Sequence, residues 1–187
     1  MKKLTYLFIA LTVFASGAFI SCDKVKDLLE ITLYDVTFDV DLDVSELSTK
    51  VDGYAFSGTA SFDPSSNADL APYLATIREV EITELKLTVT SITPATGVSL
   101  IDASFSLTDN VNSAEFVYQI TTLTPLVVGT EFIINQNTPN FSVVTDIISN
   151  MHASTISLSG HVNQPGFVIG FNNLITADIT VGVPNDK

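Results

Sequence analysis

The chain has 187 residues, 46% hydrophobic and 16% charged, with eight basic residues against 21 acidic ones and a formal net charge of −13. That length suits one domain, the apolar content is too high for a disordered acidic tail, and the acid excess excludes a nucleic-acid binder that works by neutralising phosphates. One cysteine excludes an intrachain disulfide and a Cys-rich zinc site, while no tryptophan and nine glycines argue against a Trp-platform sugar binder and a Gly-rich nucleotide loop.

The first 21 residues read as an export signal. Lys2 and Lys3 form a short positive region, and Leu4 to Ile20 is an apolar run broken by Thr5, Thr12, Ser16 and Gly17. The run ends at Ser21-Cys22, with polar sequence from Asp23. Phe19-Ile20-Ser21-Cys22 resembles the bacterial lipobox, with Phe19 where leucine is usual. The resemblance implies a diacylglyceryl group on the Cys22 thiol and cleavage between Ser21 and Cys22. A thiolate is the nucleophile such a lipid transfer needs. Each buried CH₂ contributes about 0.8 kcal/mol, so two or three chains hold a protein where one holds it marginally. Cleavage removes two lysines and no acid, which takes the formal charge from −13 to −15. Residues 22–29 are then a short tether, at most about 3.5 Å per residue when extended, and 30–187 a single domain.

Alternation dominates that domain. Tyr34, Val36, Phe38, Val40, Leu42 and Val44 face one way; Asp35, Thr37, Asp39, Asp41, Asp43 and Ser45 face the other. Tyr54, Phe56, Gly58, Ala60 and Phe62 repeat the pattern, with Ser57, Thr59 and Ser61 outward. A helix capped by Asp69 is expected through Ile77, with Tyr73 exposed on it. From Val80 to Ile92 the phase changes near Thr83-Glu84, which predicts a β-bulge. Ile101, Ala103, Phe105 and Leu107 predict the next inward face, and Phe116, Tyr118 and Ile120 another. A short strand is expected at Glu131 to Ile134. Asn140 is expected to cap a second helix, with Val144, Ile147, Ile148 and Met151 as its apolar stripe over one open end of the sheets. Ile156 to Val162 alternate, Asn163-Gln164-Pro165-Gly166 is a turn, and Phe167 to Val183 form a long strand bent at Gly170 or Asn172-Asn173. Tyr34, Tyr54 and Tyr118 are expected in the core. The whole predicts an all-β fold, a two-layer antiparallel β-sandwich of about eight strands with two short helices; an open β-barrel is the alternative.

Chemistry-bearing groups are few. Asp39, Asp41 and Asp43 share a strand face at about 6.8 Å spacing. A straight strand cannot converge them to the 2.3–2.6 Å or so that calcium needs, so a solvated or aggregation-blocking face outweighs a weak cation site completed by Glu46 and Asp52. Glu79, Glu81 and Glu84, with Arg78 and Lys86 interleaved, read as surface pairing. His152 and His161 are the two histidines. Ser159 lies two residues from His161, but nothing there has the form of a nucleophile elbow.

The chain as a whole is similar to the small β-rich envelope lipoproteins of Bacteroidota. The resemblance implies the outer membrane, with the periplasmic or surface side open. The expected role is a non-enzymatic binding or structural component of a surface assembly, without cofactor. Its expected partners are the membrane, through the acyl anchor, and another envelope protein carrying a basic patch. The alternative is a carrier of lipid or another hydrophobic ligand in a cavity lined by Phe105, Phe116, Phe167 and Phe171.

Overall fold

The structure, a computed structural model, describes residues 30–50, 53–121 and 124–182. The signal segment, Ser21, Cys22, the tether and Asp52 lie outside the described residues. Among the described residues are nine antiparallel strands, with longer connections at 63–76 and 136–153: β1 (Glu30–Lys50), β2 (Gly53–Phe62), β3 (Ile77–Thr93), β4 (Ser99–Asp109), β5 (Glu115–Ile120), β6 (Thr124–Pro125), β7 (Glu131–Asn135), β8 (Ser154–Val162) and β9 (Val168–Gly182). One helix, α1 (Ser142–Ser149), precedes β8.

The strands form one sheet in the order β5-β4-β8-β2-β1-β9-β3-β7, with β6 also on β4. β1 pairs with β2 only from Ser45 to Lys50, whereas its longer part, Glu30 to Ser45, pairs with β9. The sheet turns a corner where the two strands part, and Phe38 and Phe62 meet edge to face across it, 5.5 Å between ring centres. The curled sheet, which fits a sandwich or an open barrel, confirms the all-β antiparallel class. Residues 115–121 and 124–135 join its two edges. β5 and β6 lie on β4, Leu126 N–H donates to Val98 O and Gly129 N–H to Val89 O, and β7 lies on β3. The inward faces form a single apolar cluster. In α1, Val144, Ile147 and Ile148 are buried, and the helix packs against β3, β4 and β5, bridging both ends of the sheet.

The up-and-down path sorts the loops into two ends. Residue 30, segments 63–76, 110–114 and 136–153, and residue 182 share one end. Segments 46–50, 94–98, 124–130 and 163–167 share the other.

Bulges account for most departures from the predicted pattern. The expected one near Thr83 is present, as a register shift between Ile82 and Glu84 against β9. An unexpected shift between Leu33 and Val36 turns Tyr34 outward, so Tyr34 is 73% exposed and not core. Tyr54, Tyr118 and also Tyr73, expected exposed, are half-buried against the core. A shift between Leu100 and Asp102 makes Leu100, not Ile101, the inward residue. No α-helix starts at Asp69. Asn67 Oδ1 accepts from the Asp69 and Leu70 amides, holding 68–73 in turns that end in a 3-10 turn, Leu74–Thr76. Asn140 takes a positive φ of 62° and its carbonyl, not its side chain, receives Val143 N–H at 3.0 Å ahead of α1. β9 pairs with β1 from Val168 to Ala177 without a break, so Asn172-Asn173 does not interrupt it, and Asn173 takes a core position.

Candidate functional site

The two outer sheet faces differ in chemistry. On the β1-β9-β3 side, register sets Asp41 beside Asn172 and Asn172 beside Thr88, Asp39 beside Leu174 and Leu174 beside Lys86, and Glu81 beside Asp178. Asn172 Nδ2 donates to Asp41 Oδ1 at 3.0 Å and also to Asp39 Oδ1. Thus one amide bridges two of the three carboxylates named as a cation site, and Asp43 stands over Gly170 outside that bridge. Among the described residues no group of three or more His, Cys, Asp or Glu converges as a metal site. Glu46 is turned to the Gly166 amide, 2.6 Å away. Lys86 pairs with Glu131 and Arg78 with Glu30, so both interleaved cations are drawn to acids outside the Glu79, Glu81, Glu84 group, and Glu81 accepts from Gln136.

The β2-β8-β4-β5 side carries small hydroxyls. Register places Ser57, Ser159, Ser104 and Gln119 in one row, then Thr59, Ser157, Ser106 and Val117, then Ser61, Thr155, Thr108 and Glu115. Directly opposed residues on paired strands share a face, so the rows form one nearly neutral surface. Gln119 Nε2 donates to Ser104 Oγ at 2.9 Å.

Each histidine faces an aspartate. His161 Nδ1 lies 2.9 Å from Asp102 Oδ1 on this hydroxyl face, both groups half-exposed. The bulge at Ile101 brings Asp102 into register with His161. Such a pair holds an imidazole in one tautomer, but Ser159 makes no hydrogen bond to His161 among the described residues, so the nucleophile-to-base contact of a hydrolase is not assembled.

His152 Nδ1 lies 3.2 Å from Oδ2 of the buried Asp109. Asp109 also accepts from the Val111 and Asn112 amides and from Asn112 Nδ2. Burial works to raise its pKa, and the donors from Val111, His152 and Asn112 outweigh it, holding the carboxyl at about 2. The cluster ties the turn after β4 to the approach to β8. Neither aspartate stands out in the sequence, because each meets its histidine across 43 or 59 residues of chain. The signal was a polar residue at a strand terminus or beside an apolar pair, which has no unique meaning before strand pairing is known.

No family model matches the chain, and no curated protein matches it. Among solved structures it is similar to a decameric BFDV capsid protein, at 11% identity and a TM-score of 0.44, covering 82% of this chain and 99% of that one. It is also similar to the structure of desmodium yellow mottle tymovirus, at 14% identity and a TM-score of 0.34, covering 85% of this chain and 91% of that one.

Proposed function

We propose that this chain is a lipid-anchored envelope lipoprotein that acts as a non-enzymatic binding or structural component of a surface assembly. The observation that carries the proposal is the placement of the one cysteine, Cys22, at the end of the apolar leader and eight residues before β1 begins at Glu30. A tether that short keeps the end bearing residue 30 near the bilayer and presents the opposite loops outward. Those loops suit a docking role. Leu47, Val127, Val128 and Val168 are exposed there. In 45–50, 94–98, 124–130 and 163–167, Glu46 and Lys50 are the two charged residues. Apolar exposure with charge depleted is the composition of an interface centre. Phe105, Phe116, Phe167 and Phe171 belong to one contiguous buried cluster, which supports a filled interior over a carrier's cavity.

Metabolic labelling with an alkyne fatty acid tests the anchor. Label should enter the wild-type chain and be lost in Cys22→Ser. An unlabelled wild type, or a variant that still takes label, overturns the proposal.

A further inference from the structure

The end of the molecule where β1 begins holds a cleft of about 490 Å³, lined by Thr32, Leu33, Tyr34, Asp35, Asp69 and Tyr73 among others. The bulge in β1 makes one wall. Leu33 pairs with Ile179 and Val36 with Ala177, so Tyr34 and Asp35 together oppose Asp178 alone. Asp35 sits at φ 53°, a left-handed conformation unusual for a residue with a side chain, and its N–H donates to Asp178 Oδ1 at 3.0 Å. The turn carrying Asp69 and Tyr73 makes the other wall. Asn67 fixes it, since its Oδ1 holds the Asp69 amide at 2.9 Å while its Nδ2 donates to Thr37 O of β1 at 2.9 Å. Both walls are therefore set before any ligand arrives.

We propose that this cleft binds an organic ammonium group. Its polar side chains are two carboxylates, Asp35 and Asp69, and the hydroxyls of Thr32, Tyr34 and Tyr73. No ion pair engages either carboxylate among the described residues. No amide, guanidinium or lysine side chain lines the cleft. An ammonium group offers positive charge and donors alone, which carboxylates accept and tyrosine rings attract through their faces. The net charge of −13 further raises the local concentration of cations.

The test titrates the full chain, in a non-ionic detergent, with tetramethylammonium chloride and, in parallel, with tert-butanol, which has the same shape without charge. Chemical shifts of Tyr34 and Tyr73 report binding. The cation should bind and the alcohol should not. Tyr34→Leu, at an exposed position that should tolerate it, should weaken the cation about two- to fivefold. Asp69→Asn should weaken it further, and Asp43→Asn, on the acidic face, should leave it unchanged. Equal binding of alcohol and cation, equal effects of the Asp69 and Asp43 variants, or binding of galactose in place of the cation overturns the proposal. Vesicles of phosphatidylethanolamine separate the sources. Stronger binding by the wild type than by Tyr34→Leu, which has the same charge, assigns a lipid headgroup, and equal binding with tetramethylammonium still bound assigns a soluble amine.

Discussion

Asp109 is a buried carboxylate that gathers donors from two backbone amides, Asn112, Asn150 and His152. Its folded pKa of about 2 lies below the ordinary 3.8. A lowered carboxyl pKa contributes stability that is complete above the unfolded value and is lost as pH falls through the folded one. We therefore expect the urea midpoint to be level above about pH 4 and to fall between about pH 4 and about 2. In Asp109→Asn that acid limb should shrink, and an unchanged limb in urea titrations at pH 2–5 would assign it to other carboxylates. Asn173 is the opposite case. It is buried, its Nδ2 donates to Val40 O at 3.1 Å, and its Oδ1 has no partner. An unmet buried acceptor costs about 1–3 kcal/mol, whereas an apolar group of the same shape does not. Val40 is half-buried and lines an open gap of about 240 Å³, so water can reach its carbonyl. Asn173→Leu should leave the urea midpoint unchanged or raise it; a loss above about 2 kcal/mol would sink that account.

Bulges set which residues each strand delivers inward. At Ile101 the β4 backbone moves so close to β8 that a Cβ on Gly160 would stand 2.2 Å from Asp102 O. Gly160→Ala should therefore force the strands apart, at about 1–3 kcal/mol by denaturation. It should also separate Asp102 from His161, seen as a changed imidazole tautomer in nitrogen NMR. The same elements show what the sequence discloses. Alternation located β1, β2, β3 and β8, and the stripe of α1, because burial on one face writes itself into residue order. The bulge near Thr83 was legible because apolar residues change phase on both sides of it. The bulges at Tyr34 and Ile101 were not, since an apolar residue stands at the extra position and preserves the apparent alternation. The acidic ladder Asp39, Asp41 and Asp43 was legible as a face. Its bridging by Asn172 and both aspartate–histidine pairs depend on strand order and register, which local pattern does not carry. Helix α1 offers a direct check on closure. Ile147 is fully buried between the sheet ends, and Ile147→Ala should cost about 2–5 kcal/mol by urea denaturation. A smaller loss would mean the helix only rests on the sheet.

Across the whole molecule, acidic groups concentrate on one outer face, where threonines accompany them, and serines concentrate on the other. Asp39, Asp41, Asp43, Glu81, Glu84 and Asp178 share the β1-β9-β3 side, while serines and threonines fill the other. The proposed anchoring, which leaves a formal charge of −15, should turn the acidic side away from anionic lipid and offer it to basic partners. Such attraction is long-ranged, so salt must weaken it as the screening length falls from about 10 Å at 0.1 M to about 3 Å at 1 M. A decalysine probe should bind the full chain in non-ionic detergent and be released across that range. Changing Asp39, Asp41 and Asp43 together to asparagine removes three charges from this face without touching the core, since all three side chains point outward. The triple variant should bind decalysine more weakly at low salt and show a shallower salt dependence. Three serines of the hydroxyl face, Ser57, Ser104 and Ser159, changed to alanine provide the control that should leave both quantities alone. If the alanine control matches the asparagine variant, or if wild-type binding survives 1 M salt, decalysine is held by something other than this face.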